Sequence, residues 1–90
     1  MIAEMVTSLV STPHVCGGRL RIEGTRITLN QIVILYKQGL SAEDIADQYP
    51  HVSLAQVYSA LAHYHANRTA VEAELAAEKA QAERLEQEFA

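Results

Sequence analysis

The stretch TLNQIVILYKQGLSAEDIADQYPHVSLAQVYSALAHYH, residues 28–65, decides the fold. Within it TLNQ (28–31), SAED (41–44) and SLAQ (53–56) each set a Ser or Thr three residues ahead of a Gln or Asp. In such a capping box the hydroxyl accepts from the backbone N–H three residues on, while the amide or carboxylate reaches back to the cap N–H. TAVE at 69–72 repeats the pattern in the tail. These starts predict helices over about 29–38, 42–48, 54–66 and 70–88.

The ends and faces agree. Gly39 can take the left-handed conformation that closes the first helix, and Pro50 pushes Tyr49 out of helical geometry to close the second. Leu29, Ile32, Val33 and Tyr36 form one apolar stripe, Ile45, Ala46 and Tyr49 another, and Leu54, Val57, Tyr58, Leu61 and Tyr64 a third. Short helices with short connections can bury such stripes only against one another. The expected core is therefore trihelical, residues 29–67, preceded by an N-terminal segment, 1–28, and followed by a C-terminal helix, 68–90.

Ninety residues make one small domain, for which an oligomeric partner is a reasonable expectation. No apolar run is long enough to span a bilayer, the N-terminus has no basic leader, and Cys16 is the lone cysteine, so a reducing, cytoplasmic setting is expected. Charge is unevenly spread. Residues 1–67 carry Arg19, Arg21, Arg26 and Lys37 against Glu4, Glu23, Glu43, Asp44 and Asp47, whereas the tail sets Arg68, Lys79 and Arg84 against twice as many glutamates. The asymmetry suggests two tasks for one chain.

Ahead of the helices lies GGRLRIEGTRITL, residues 17–29. Leu20 and Ile22 alternate with Arg19 and Arg21 as in a strand with one wet face, and Arg26 to Thr28 resume after Glu23-Gly24. Gly24 supplies the positive φ of a type II turn or a bulged hairpin. A hairpin alone is marginal in water, and its edges invite a further strand, from the segment near Val6 to Val10, from a second copy or from a partner. Packing on the bundle as a short wing is the plainer alternative.

The second and third predicted helices, joined by YPHVS, have the order of a helix-turn-helix. The exposed N-terminal positions of the third are expected to be Ser53, Ala55, Gln56, Ser59 and His63, and with Arg26 four of these, Ser53, Gln56, Ser59 and His63, are the candidate DNA contacts. Against DNA binding stands the absence of Arg or Lys on that helix before Arg68, since phosphate contacts normally supply most of the affinity. A homodimer would double the arginines.

Enzyme chemistry is not expected. His63 and His65 are two apart and face different ways on a helix, so they cannot chelate one metal together. His14 and Cys16 lack a second ligand pair, His51 is a turn residue after Pro50, and no nucleophile set or phosphate-cradling loop is present. No catalytic residue, metal or cofactor is assigned.

Gly18, Ile22, Gly24-Thr25-Arg26-Ile27, Gly39, Ser41, Glu43, Ile45, Tyr49-Pro50, Val57, Ala60-Leu61 and Tyr64 together resemble a short prokaryotic family catalogued as domain of unknown function 433. The resemblance spans about residues 17–68, with Leu20 and Thr28 standing where the family has proline. It implies a mainly α fold: a trihelical, homeodomain-like helix-turn-helix bundle with a small N-terminal β-hairpin, continued here by a C-terminal amphipathic helix. It also implies an antitoxin, encoded beside a PIN-like ribonuclease toxin that it binds and silences, with operator DNA as a second target. Arg26, matching the family's hairpin arginine, either ties the hairpin to the helices or contacts phosphate or a partner.

In the tail, Val71, Leu75, Ala82, Leu85 and Phe89 fall on a three-and-four ladder that Glu78 interrupts. This seam is a solvated helix, a dimerising coiled coil, or an amphipathic helix for a toxin groove. Arg19, Arg21, Arg68, Val71, Leu75, Leu85 and Phe89 are the candidate partner or dimer contacts. With a magnesium-dependent nuclease as partner, Arg68 or Arg84 could plug its acidic site.

Overall fold

The computed structural model describes residues 9–89. In order it contains β1 (Leu9–Val10), a 3-10 turn at Cys16–Gly18, β2 (Arg21–Ile22), α1 (Leu29–Lys37), α2 (Ala42–Gln48), α3 (Leu54–Ala66) and α4 (Arg68–Phe89). The protein is mainly helical, with a small antiparallel β-pair ahead of the helices.

The first three helices begin at the predicted boxes, each closed from both sides: Thr28 with Gln31, Ser41 with Asp44, and Ser53 with Gln56. Removing such a cap typically costs about 1 kcal/mol. At the end of α1 Gly39 has φ 104°. Its N–H donates to Tyr36 O at 3.0 Å, and Leu40 N–H donates to Leu35 O at 3.2 Å, the Schellman pattern that satisfies the last carbonyls. Tyr49, held before Pro50 at φ −126° and ψ 84°, ends α2.

Ile32 and Val33 from α1, Ile45 from α2, and Val57, Ala60 and Tyr64 from α3 form the buried centre, closed by Ile22 of β2, Val52 of the α2–α3 joint and Val71 of α4. Fully burying an aliphatic side chain of this size is worth about 1.5–3 kcal/mol. The third stripe is narrower than its spacing suggests. Leu54 and Tyr58 are exposed and Ala60 takes a core place, because Tyr58 sits one residue, roughly 100° of helical rotation, past Val57.

The hairpin differs from the expected one. Gly24 (φ 83°) does make the type II turn after Glu23, with Thr25 N–H donating to Ile22 O at 3.0 Å. The arm beyond it shrinks to a single bridge, Arg21 to Thr28, because Thr28 is already the cap of α1 and leaves no residues for a strand. β2 instead pairs on its other edge with β1, Leu9 opposite Ile22 and Val10 opposite Arg21. Of the segment expected to add a strand, Val6 to Ser8 lie outside the described residues.

The fourth box also differs. α3 stops at Asn67 (φ −128°, ψ 39°), whose Nδ2 donates back to His63 O at 3.0 Å, and α4 starts at the next residue. Thr69 therefore lies inside the first turn rather than ahead of it, and Val71 N–H bonds Asn67 O at 3.0 Å. Glu72, freed from capping, reaches across to α1 and α3. The 22 residues of α4 extend about 33 Å, so its second half runs past the bundle and stretches the molecule to 52 × 30 × 26 Å. No helix among the described residues is long and apolar enough to cross a membrane.

Candidate functional site

The α2–α3 joint brings α3 to the surface with an outward face led by Leu54, Ala55, Tyr58 and Ala62. Tyr58 is 52% exposed, and its hydroxyl lies 3.5 Å from Glu43 of α2. Of the residues proposed to read bases, Ser53 Oγ accepts from Gln56 N–H at 3.1 Å, and Gln56 Oε1 accepts from Ser53 N–H at 2.8 Å. The polar atoms assigned to base contacts are thus engaged in starting the helix. Ser59 and His63 are half-buried along its flank.

The three arginines of the hairpin have three different settings. Arg19 forms an ion pair with Glu78 of α4. Arg21 binds locally, Nη2 to Thr12 Oγ1 at 2.9 Å and Nη1 to Thr25 O at 3.4 Å, holding the loop after β1 against the turn. Arg26 is exposed, and its guanidinium has no hydrogen-bond or ion-pair partner among the described residues. It borders a shallow hollow with His51 over a wall of Ile27, Tyr49 and Pro50, where the turn meets the α2–α3 joint.

The first half of α4 is bound to the bundle by two carboxylates. Glu72 accepts from Lys37 Nζ at 2.6 Å and from the Tyr64 hydroxyl. Glu78 accepts from Arg19 and, at 3.0 Å, from Nδ2 of the buried Asn30. The Lys37 bond first, then that of Tyr64, holds the Glu72 carboxyl below its ordinary range, while the bond to Glu72 and then burial push the Tyr64 hydroxyl up. Tyr64 also anchors an aromatic cluster: Tyr36 packs edge-on to it, the Tyr36 hydroxyl lies 3.3 Å from His65 Nε2, and the Arg68 guanidinium sits 5.9 Å over the Tyr64 ring. Sequence reading assigned Lys37 and Asn30 no site role and pointed to Glu72 only as the cap partner of Thr69. Its one hint was Glu78, the acid that breaks the apolar ladder.

That ladder is divided by the bundle's edge. Val71 is in the core and Leu75 is packed partly against it. Ala82 and Arg84 are exposed, Leu85 is 48% exposed and Phe89 is 83% exposed. The second half of α4 therefore offers apolar side chains that the described residues leave largely uncovered, flanked by Glu83, Glu86 and Glu88. Such a helix can enter an apolar groove with basic margins. As for metals, no three His, Cys, Asp or Glu among the described residues are grouped to hold an ion. His14 and Cys16 both adopt positive φ, and Cys16 Sγ faces Arg26 O at 3.5 Å.

No curated protein matches the chain. A solved structure, that of a DUF433 member protein from Anabaena variabilis ATCC 29413, is similar to it at 30% identity and a TM-score of 0.71, over 78% of this chain and 69% of that one. A family model described as "Protein of unknown function (DUF433)" matches residues 9–64, which take in the hairpin and the three helices of the bundle. The chain belongs to the DUF433 family.

Proposed function

We propose that this chain is an antitoxin-type binding protein of the cytoplasm, which sequesters a partner protein by laying the second half of α4 in a groove of that partner. The family resemblance points to a PIN-like ribonuclease as the partner. One observation carries the reading: Leu85 and Phe89 stand on one side of a regular helix beyond the reach of the bundle. Single exposed apolar residues are ordinary, but a helical seam that is core at one end and open at the other has the form of an interface. Arg84, exposed within that half, is the cation placed to approach an acidic nuclease site.

The test is co-expression with the product of the adjacent reading frame, using the full chain tagged and its Leu85→Glu/Phe89→Glu variant. A stoichiometric complex that the variant loses supports the reading. A complex that the variant retains in full places the contact elsewhere and sinks it. Arg84→Ala separates binding from inhibition: retained complex with restored ribonuclease activity marks Arg84 as the plug.

Operator DNA is a second target, favoured by Arg26. Its unpartnered guanidinium and the His51 imidazole flank the joint that would approach a DNA backbone, although Ser53 and Gln56 are engaged in their cap. If it contacts one phosphate, Arg26→Ala should reduce the salt slope of binding to the promoter fragment by about one. An unchanged slope shows that Arg26 contacts no phosphate, and no binding at low salt leaves a protein-interaction module without a DNA role.

A further inference from the structure

Between α1 and the first half of α4 runs an open groove of about 670 Å³. Ile34, Leu75 and Ala76 form its apolar floor beside Gln38, and its rim carries Lys37 paired with Glu72, and Lys79 beside Glu78. Ile34 is 44% exposed there, a β-branched residue on a helix surface that the described residues leave open. The bonds across the groove fix how the helices run. Lys37 meets Glu72 and Asn30 meets Glu78, so α1 and α4 are antiparallel and Ile34 is level with Leu75.

The ladder of α4 is symmetric about Ala80. Val71 and Phe89, Leu75 and Leu85, and Glu78 and Ala82 lie equally far to either side of it. A second copy of α4 laid antiparallel beside the first, about a two-fold axis level with Ala80, brings the second copy's Leu85 level with Leu75 and hence with Ile34. Its Phe89 falls level with Val71, beside the end of α1. With the axis perpendicular to the helix pair, both copies keep the same side of α4 toward the bundles. Ala82, Leu85 and Phe89, which continue the face that Val71 buries, then turn down onto the other copy's α1.

Charge favours this occupant. Glu72 and Glu78 also line the groove, but Lys37, Tyr64, Arg19 and Asn30 already engage them, which leaves Lys79 as the rim cation with no ion pair among the described residues. The second copy's Glu83 comes within a helical turn of it. A two-fold contact fills both grooves and covers both seams at once, leaving neither copy with an open site. We propose that the chain forms an antiparallel homodimer in which the second half of each α4 lies in the α1–α4 groove of the other. The proposal rests on the same half-helix as the partner reading: the dimer is the state of the chain alone, and a sequestered partner displaces it.

Sedimentation equilibrium of the purified full chain, with no partner present, tests this. The expected mass is twice 9.9 kDa. Leu85→Glu and Ile34→Glu, both at exposed positions, should keep the far-ultraviolet circular dichroism of the parent while each weakens the dimer about a hundredfold, since every substitution occurs twice across a two-fold interface. Lys79→Glu should weaken it as well, and Lys79→Glu/Glu83→Lys should restore it. A wild-type chain that is monomeric at about 100 μM, where weak protein pairs already associate, overturns the proposal. So does a dimer indifferent to both Leu85→Glu and Ile34→Glu. A monomeric wild type whose Leu85→Glu/Phe89→Glu variant still loses the co-expressed partner would sink the dimer and leave the partner reading standing.

Discussion

Replacing Asn30 by Asp separates the polar clamp on α4 from every local preference, because the two predict opposite signs. Asn30 is the second residue of α1, where an acid is normally favourable by about 0.3–1 kcal/mol through the helix dipole. In the structure it is 5% exposed, and its Nδ2 donates to Glu78 at 3.0 Å. Asn30→Asp keeps the shape, removes the donor and faces one carboxylate with another. Losing a hydrogen bond to a charged group costs about 1.5–3 kcal/mol, and like-charge repulsion, partly offset by Arg19 beside Glu78, brings the total to roughly 2–4 kcal/mol at neutral pH. For a domain of this size that lowers the melting temperature by about 10–20 °C. The effect carries a pH signature. Repulsion raises the folded-state pKa of the introduced acid above its unfolded value, so the loss is absent at low pH and grows as pH rises through the carboxylate range. Thermal unfolding followed by circular dichroism at neutral and acid pH checks both parts. A variant that melts within about 2 °C of the parent at neutral pH, or a gap of equal size at both pH values, refutes the clamp.

Acid unfolding should report the second carboxylate. Glu72 is held below its ordinary value of 4.5 chiefly by Lys37 and then by Tyr64, so the stability it lends is full above the ordinary range and is lost as pH falls through its folded-state value. Lys37→Met should therefore move the acid limb of a melting-versus-pH curve upward further than Tyr64→Phe does. At the alkaline end the Tyr64 hydroxyl has the opposite sense: its contribution is present below 10.0 and disappears as pH rises through its raised value, and Glu72→Ala should lower that transition in a tyrosine absorbance titration. Gly24→Ala meets no steric neighbour but forces an alanine to φ 83°, at a cost of about 1–2 kcal/mol in denaturant unfolding, and Gly24→Asn should cost less. Val71→Ala should lose about 1–2 kcal/mol, whereas Leu85→Ala in dilute solution should stay within about 0.5 kcal/mol of the parent.

Features governed by a few adjacent residues were legible in the sequence. The boxes at Thr28, Ser41 and Ser53, the Gly39 terminator and the Tyr49-Pro50 stop each follow from backbone donors, acceptors and φ limits within a turn or so, and each is found as read. The box at Thr69 failed because its pattern permits a cap and does not enforce one. Asn67 had already ended α3, and no residue was left to hold Thr69 outside the next helix. The small N-terminal hairpin is present, but its second arm is short, since Thr28 makes the bridge to Arg21 and at once caps α1. Among the site residues, Ser53 and Gln56 were read as base contacts and as a capping pair from the same letters, and spacing alone does not say which use consumes the atoms. The clamp was illegible because its partners are 35 and 48 residues apart, for Lys37 with Glu72 and Asn30 with Glu78, and no local rule connects them.

The division of α4 follows from that clamp. A helix this polar has little reason to stay on so small a bundle by apolar contact alone, with Val71 as its fully buried residue among those described. Two glutamates, each held by one cation and one neutral donor, fasten the first half at points about 9 Å apart along the axis, six residues at the usual rise. Fastening at two points fixes direction as well as position, so the second half is aimed rather than merely attached. Lengthening a loop could also present Leu85 and Phe89, but it would add the entropy of ordering them to every binding event. A preset helix has already met that cost in folding. In the proposed role the acids of the first half and the apolar residues of the second therefore belong to one device: Glu72 and Glu78 hold the rod, and Leu85 and Phe89 are what the rod would present.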